Sequence, residues 1–143
     1  MAEMPKPLIV VVLASDFERV HYALATAAAA AAIGRATSLF FTQGAVRAIA
    51  GTECAPGWWD LIVADPTLGG EDALALDRAF TNRGAAGFEE ILLACKEIGI
   101  EFLVCSMGLR VANLTVHELR RELAVEEAGL VEILSRGDML TVI

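Results

Sequence analysis

A run of large, mostly β-branched residues near the start of the chain, Leu8 to Ala14 (LIVVVLA), places the strongest constraint on its fold. An uninterrupted apolar run of this length is typical of a strand buried on both faces, as in parallel sheets that have helices on each side. It is followed at once by Ser15, Asp16, Glu18 and Arg19, which break the apolar region that a signal peptide requires. We therefore interpret the run as a first strand.

Alternating helix and strand patterns follow this first strand. Ser15 and Glu18 form an S-x-x-E capping box, which predicts a helix that continues to Ile33 and ends before Gly34. The same reasoning predicts strands and helices further along the chain, namely a strand at Thr37–Thr42, a short helix between Gln43 and Gly51, an amphipathic helix at 87–98, a strand at Ile100–Val104, a helical turn at Leu130–Ser135 and a last strand at Met139–Ile143.

Two further segments have to be interpreted separately from these elements. A second capping box, Thr115 with Glu118, predicts a helix that reaches Ala128 and ends at Gly129. The segment from Thr52 to Gly87 carries mixed signals, and a helical stretch is indicated only at Ala73 to Phe80. A long segment without strong periodicity is often a lid or an interface in a compact domain.

The alternation of strands and helices predicts an α/β fold formed by a single domain over residues 1–143. Right-handed crossovers between parallel strands place helices on both faces, so we expect a three-layer sandwich with a mainly parallel, roughly five-stranded sheet. Ligands of such sheets bind beyond the carboxyl ends of the strands. Side chains that end a strand are therefore the first candidates for a functional site.

The composition excludes several classes of function. The net charge of −8 argues against binding to nucleic acid or to an anionic membrane surface, since both need a basic face. The longest nearly continuous apolar stretch, Tyr22 to Ile33, has 12 residues and consists mostly of alanine, too short and too small in side-chain size for a membrane span. Three cysteines without a C-x-x-C motif fit a reducing compartment, and we expect the cytoplasm.

Cys105 is the strongest candidate for a reactive residue, because it follows the predicted strand Ile100–Val104. Backbone amides and the positive end of a following helix favour the thiolate form of a cysteine in this position. Ser106 and Gly108 would permit a tight loop with converging amides, and Arg110 would add positive charge if it turned inward. The competing interpretation is a buried structural cysteine, since free cysteine is among the most buried residue types.

The other candidates are weaker. Cys95 lies in the apolar stripe of its predicted helix and is expected in the core, whereas Cys54 lies near glycine and proline and could be a second, exposed thiol. His21 and His117 lack a neighbouring arrangement that would define a catalytic pair. The chain has no glycine-rich nucleotide-binding motif and no metal-ligand spacing, so we expect no cofactor and no metal.

The run GFEEILLACKEIGIEFLVCSMGLRVANLTVHEL, from Gly87 to Leu119, resembles the DsrE/DsrF-like family of sulfur-relay proteins, and the two ends of the chain are compatible with that family. The resemblance implies a small α/β sandwich that assembles into homo- or hetero-oligomers. It also implies that Cys105 accepts sulfane sulfur from a donor protein as a persulfide and passes it to an acceptor protein, with no organic cofactor.

The sequence leaves three functions open. The first is an intracellular sulfurtransferase or persulfide carrier that uses Cys105, which needs an accessible thiol. The second is a non-catalytic binding or scaffold module of the same fold, in which Cys105 is buried and the chain forms a homo-oligomer. The third is a thiol redox sensor in which Cys105 is oxidised and then pairs with Cys54.

Overall fold

The computed structural model describes residues 6–142, so residues 1–5 and Ile143 of the predicted domain lie outside the described residues. Within residues 6–142, five strands form one parallel sheet, and five α-helices connect them. The strands are Leu8–Val12 (β1), Thr37–Phe41 (β2), Glu101–Cys105 (β3), Glu126–Ala128 (β4) and Asp138–Val142 (β5). The α-helices are Phe17–Ala32 (α1), Ala73–Asn82 (α2), Phe88–Glu97 (α3), Ser106–Ala112 (α4) and Leu130–Leu134 (α5).

The strand order β4-β3-β2-β1-β5 explains how the helices divide between the two faces. The connections from β1 to β2, β3 and β4 all step in the same direction, whereas the connection from β4 to β5 returns across the whole sheet. Right-handed crossovers therefore place α1 to α4 on one face and α5 on the other. The predicted three-layer α/β sandwich is confirmed, with all strand pairs parallel.

Two apolar clusters fill the space between the layers. The larger cluster joins one side of the strands, such as Val10 and Leu39, to α1 and α3 through Leu24 and Leu92. The smaller cluster lies on the opposite side and contains the residues that alternate with these, together with Ile133 of α5. Its buried members are Ile9, Val11, Phe40, Leu103, Cys105, Ala128 and Ile133.

The predicted capping box at the start of α1 is wrong in its residues, although the helix itself is confirmed. Asp16 is the N-cap, and its carboxylate accepts a hydrogen bond from the Arg19 amide at 3.0 Å. The Glu18 carboxylate instead accepts from the amides of Ala64 and Asp65. A tertiary contact with the 52–87 segment has therefore replaced the local bond that the sequence pattern predicts.

The helix predicted from Thr115 to Ala128 is also wrong. The Thr115–Glu118 capping box forms, but it begins only a single 3-10 turn at Val116–Glu118. Leu119 is then extended and pairs with Ala50 as an antiparallel bridge, a second 3-10 turn follows at Arg121–Leu123, and Ala124 is left-handed with φ 51°. These turns and the left-handed residue prevent a continuous helix, so residues 126–128 can form β4.

The segment between Thr52 and Gly87 contains two 3-10 turns, Gly57–Asp60 and Pro66–Leu68, followed by α2. It is anchored by Trp58, Leu61 and Leu76, which are buried in the larger cluster. The segment is therefore fixed to the core on the α1 face by a few buried side chains while most of its residues stay at the surface, and its weak periodicity reflects short turns that bury single side chains.

Candidate functional site

Cys105 is the last residue of β3, where the strand gives way directly to α4. Its backbone is extended, with φ −72° and ψ 130°, and it pairs with Ala128 of the edge strand β4. Only 3% of the residue is exposed, because the side chain belongs to the smaller cluster with Leu103 and Ile133. The position at the carboxyl end of a parallel strand matches the prediction, but the thiol is covered.

The loop predicted after Cys105 is a helix instead, since α4 begins at Ser106. The Ser106 hydroxyl donates a hydrogen bond of 2.8 Å to the Glu127 carboxylate of β4. Arg110 is exposed on α4 rather than turned inward towards the thiol. The charged group that the structure places against the start of α4 is therefore the Glu127 carboxylate rather than the Arg110 guanidinium.

Gly108 has a packing role that the sequence did not reveal. A Cβ at this position would lie 2.9 Å from both the Cα and the hydroxyl oxygen of Thr42 and 3.0 Å from the Gln43 amide nitrogen. Side chains do not tolerate contacts this short, so only glycine allows α4 to lie against the end of β2. Gly108 thus fixes the position of the helix that follows Cys105.

We expect Gly108→Ala to lower the free energy of unfolding by about 1–3 kcal/mol, because the added methyl group forces α4 away from Thr42. Gly129→Ala is the matched control, since a Cβ there meets no atom within 4 Å and its φ is −87°. Urea unfolding followed by circular dichroism measures both. Equal stability of the two variants would contradict this role of Gly108.

A shallow depression of about 420 Å³ opens beside the start of α4. It combines two residues predicted from the sequence, Ser106 and Arg110, with His117 and Glu127, which sequence reasoning did not assign to the site. The remaining lining residues are Leu109, Leu114, Thr115 and Val116. The depression can hold a small polar group or the side chain of a partner, with a carboxylate, a guanidinium and an imidazole within it.

The two other cysteines occupy opposite environments. Cys95 is fully buried on α3, its thiol donates to the Leu24 carbonyl oxygen at 3.4 Å, and burial raises its pKa to about 11. The prediction of a core cysteine is confirmed. Cys54 is exposed in the turn closed by the hydrogen bond from the Ala55 amide to the Thr52 hydroxyl. Depressions on both sides of this turn include His117 in their walls.

His21 is a satisfied structural histidine. Its Nε2 lies 2.8 Å from the Ala86 carbonyl oxygen, so this nitrogen carries the proton in that contact. The ring stacks on Phe17, with centroids 5.7 Å apart, and meets Phe80 edge to face. The ring also lies 6.4 Å from that of Phe88, so His21 packs between α1, α2 and the start of α3.

A buried arginine ties the loop between α4 and β4 to the rest of the fold. The Arg120 side chain is fully buried, and it donates two hydrogen bonds to Glu89 at the start of α3 and one to Glu122. The Trp58 indole donates to the same Glu89 carboxylate at 3.0 Å. Sequence reasoning missed this network because Arg120 and Arg121 are adjacent and look alike in the sequence.

The ionisation of the network follows from its geometry. Burial alone would raise the pKa of Glu89, but hydrogen bonds from Arg120 and Trp58 and the charge of Arg120 hold that pKa below its usual value. Burial would lower the pKa of Arg120, and its two carboxylate partners raise it instead. Both partners therefore stay charged at neutral pH, which keeps the segment around His117 in place.

Metal-ligand clusters and membrane-spanning helices are both missing from the part of the chain that the structure describes. Among residues 6–142, no three His, Cys, Asp or Glu side chains come together as a metal site would require. None of the helices in the same range is both long and apolar enough to cross a membrane.

Comparisons with known proteins bear on the fold alone. No family model matches the chain, and no curated protein matches it. The structure is similar to that of MTH1491, a protein of unknown function from Methanobacterium thermoautotrophicum, with a TM-score of 0.61 and 12% sequence identity. The alignment covers 95% of this chain and 98% of that chain. The resemblance to DsrE/DsrF-like proteins therefore stays a prediction.

Proposed function

We propose that this protein carries sulfane sulfur as a persulfide on Cys105. The observation that supports the proposal is the position of this cysteine, at the carboxyl end of an interior strand and immediately before a helix. Ligand sites of parallel sheets lie beyond such strand ends. The depression lined by Ser106, Arg110, His117 and Glu127 lies at the same end of β3 and β4 and offers a docking surface for a partner, although Cys105 is not among its lining residues.

The transfer needs only two thiols and no organic cofactor. The Cys105 thiolate attacks the terminal sulfur of a donor persulfide, R–S–SH. The new bond joins that sulfur to Cys105, the S–S bond of the donor breaks, and the donor leaves as the thiolate R–S⁻. A thiolate of an acceptor protein then removes the sulfur in the same way, so neither step involves a net oxidation. A reducing compartment such as the cytoplasm keeps both thiols free.

The burial of Cys105 makes a local opening part of this function. The strand β4 has three residues and, among the residues that the structure describes, pairs with β3 alone, and in α5 only Ile133 is buried. Edge elements with few buried contacts open at a lower free energy than the core. Displacement of β4 and α5 would bring the thiol to the surface, and their return would shield the persulfide from small thiols.

A non-catalytic module of the same fold is the second candidate function. It is favoured by the 3% exposure of Cys105 and by its apolar surroundings, which are those of a structural cysteine. In this function the depression beside α4 binds a partner without covalent chemistry. The chain would then act through its surfaces alone, and we expect it to form a homo-oligomer in either case.

Treatment with polysulfide followed by intact-protein mass spectrometry separates the two functions. The Cys54→Ala variant serves as the background, because an exposed thiol there would also take up sulfur. We expect one added sulfur atom on this variant, located at Cys105 by peptide mapping and lost when Cys105→Ala is added. Cys95→Ala in the same background is the matched control and should keep the adduct, since Cys95 lies in the core.

A failure of Cys105 to take up sulfur would contradict the persulfide proposal. If no sulfur is added and Cys105 resists alkylation until the protein is denatured, the persulfide proposal is wrong and the non-catalytic module is supported. An adduct on Cys105 that forms only in denaturant leads to the same conclusion, because a carrier must react in its folded state.

A further inference from the structure

Cys105 is covered by one continuous segment, the strap (residues 126–134), which runs through β4, Gly129 and α5. Only two of the nine residues of the strap are buried, Ala128 and Ile133, and both belong to the smaller cluster with Cys105. The other seven are exposed. A segment with so few buried contacts opens at a lower free energy than the core, so one additional bond strongly changes how often it opens.

One side-chain hydrogen bond ties the strap to α4. The Ser106 hydroxyl donates to the Glu127 carboxylate, and the two oxygens are 2.8 Å apart. Within residues 6–142, this is the only side-chain hydrogen bond between the strap and another helix or strand. Ser106 is the first residue of α4 and directly follows Cys105, so the bond holds the strap beside the thiol itself.

The bond holds the strap from the side of the sheet opposite to Ile133. Cys105 and its partner Ala128 face the smaller cluster, whereas Val104, the partner of Glu127, faces the larger one. Side chains alternate along a strand, so Glu127 points to the same side as Val104, where α4 lies. The strap is therefore held by apolar contacts on one side and by a hydrogen bond on the other.

We propose that the Ser106–Glu127 hydrogen bond is a latch that controls the access of reactants to Cys105. While the latch is closed, β4 stays paired with β3 and the thiol stays within the smaller cluster. Both latch residues line the depression beside α4, so a partner that docks there reaches the latch directly. The inference deepens the proposed function and rests on it, because a latch regulates chemistry only if Cys105 reacts.

Alkylation of the Cys54→Ala protein with iodoacetamide, followed over time by peptide mapping, gives the rates of Cys105 and Cys95 in the same sample. We expect Ser106→Ala and Glu127→Ala each to raise the rate of Cys105 by about three- to tenfold, the factor that one such hydrogen bond contributes to an equilibrium. The rate of Cys95 should not change. The double variant should be no faster than the single ones, because both substitutions remove the same bond.

Two further variants in the same background are the controls. Ser106→Thr keeps the hydroxyl group, so it should keep the slow rate of Cys105. Glu126→Ala removes the neighbouring exposed acid of β4, whose side chain points away from α4 because it alternates with Glu127. We expect it to change the rate of Cys105 by less than about twofold.

The proposal is wrong if Ser106→Ala and Glu127→Ala leave the rate of Cys105 within about twofold of the wild-type rate, or if their effects multiply in the double variant. Equal acceleration of Cys95 also overturns it, because the substitutions would then loosen the whole fold rather than the strap. The persulfide proposal fails separately. If the latch variants are alkylated faster but take up no sulfur from polysulfide, the latch stands and Cys105 is not a sulfur carrier.

Discussion

Replacement of Arg120 by alanine is expected to lower the free energy of unfolding by about 3–5 kcal/mol. The side chain is fully buried and holds Glu89 and Glu122 by charged hydrogen bonds. Its removal leaves two carboxylates without their cation and an empty space inside the loop between α4 and β4. The loss is large because the three charged groups compensate one another only when all are present. Urea unfolding at neutral pH measures it.

Arg121→Ala is the control for this prediction, because Arg121 is the adjacent residue of the same type but is exposed. We expect it to change the stability by less than about 0.5 kcal/mol. A loss as large as that of Arg120→Ala would mean that the local backbone, rather than the buried ion network, holds the loop. Equal stability of the wild type and Arg120→Ala would contradict the network directly.

The acid dependence of the same variant gives an independent check. Burial would raise the pKa values of Glu89 and Glu122, but both pKa values are lowered in the folded protein. Hydrogen bonds and the charge of Arg120 lower both, helped by the Trp58 indole at Glu89 and by a backbone amide at Glu122. Their contribution to stability is therefore present above their usual pKa of 4.5 and is lost as the pH falls below it, through the lowered values. The difference between the wild type and Arg120→Ala should shrink over that acidic range.

The parts of the fold that could be predicted from the sequence are those whose cause is local. β1 is predictable because its apolar run has no break, and α1 because its helix ends at a glycine with φ 87°. The strand β4 was missed because its three residues include Glu126 and Glu127, and because helix-like spacing precedes it. A strand this short forms only because β3 offers it a partner, and no local pattern contains that information.

For the candidate site, too, the sequence predicts the features with a local cause and not those that depend on distant residues. The position of Cys105 at a strand end followed from the pattern, but its burial depends on Ile133, which is 28 positions away and belongs to a helix that crosses the sheet. The roles of Gly108 and Glu127 depend on Thr42 and Ser106, which are close to them only in the folded chain. Covering of a side chain by distant elements cannot be inferred from the residues beside it.

Native-state alkylation should separate the three cysteines by orders of magnitude in rate. At pH 8 we expect Cys54 to react first, because it is exposed. Cys95 should react at least about a thousandfold more slowly, since burial raises its pKa to about 11 and its thiol is closed in the larger cluster. Variants that each retain a single cysteine, labelled over time and followed by mass spectrometry, give the three rates.

The dependence of these rates on urea decides how Cys105 becomes accessible. Labelling that requires global unfolding speeds up with the full urea dependence of unfolding, whereas labelling through a local opening responds weakly at low urea. Cys95 should show the full dependence, because α3 packs at the centre of the larger cluster. The labelling rate of Cys105 should depend only weakly on urea, because opening of β4 and α5 exposes the thiol while the α1 face stays folded. If Cys105 instead follows Cys95 at every urea concentration, the isolated chain has no route by which a folded carrier could load sulfur.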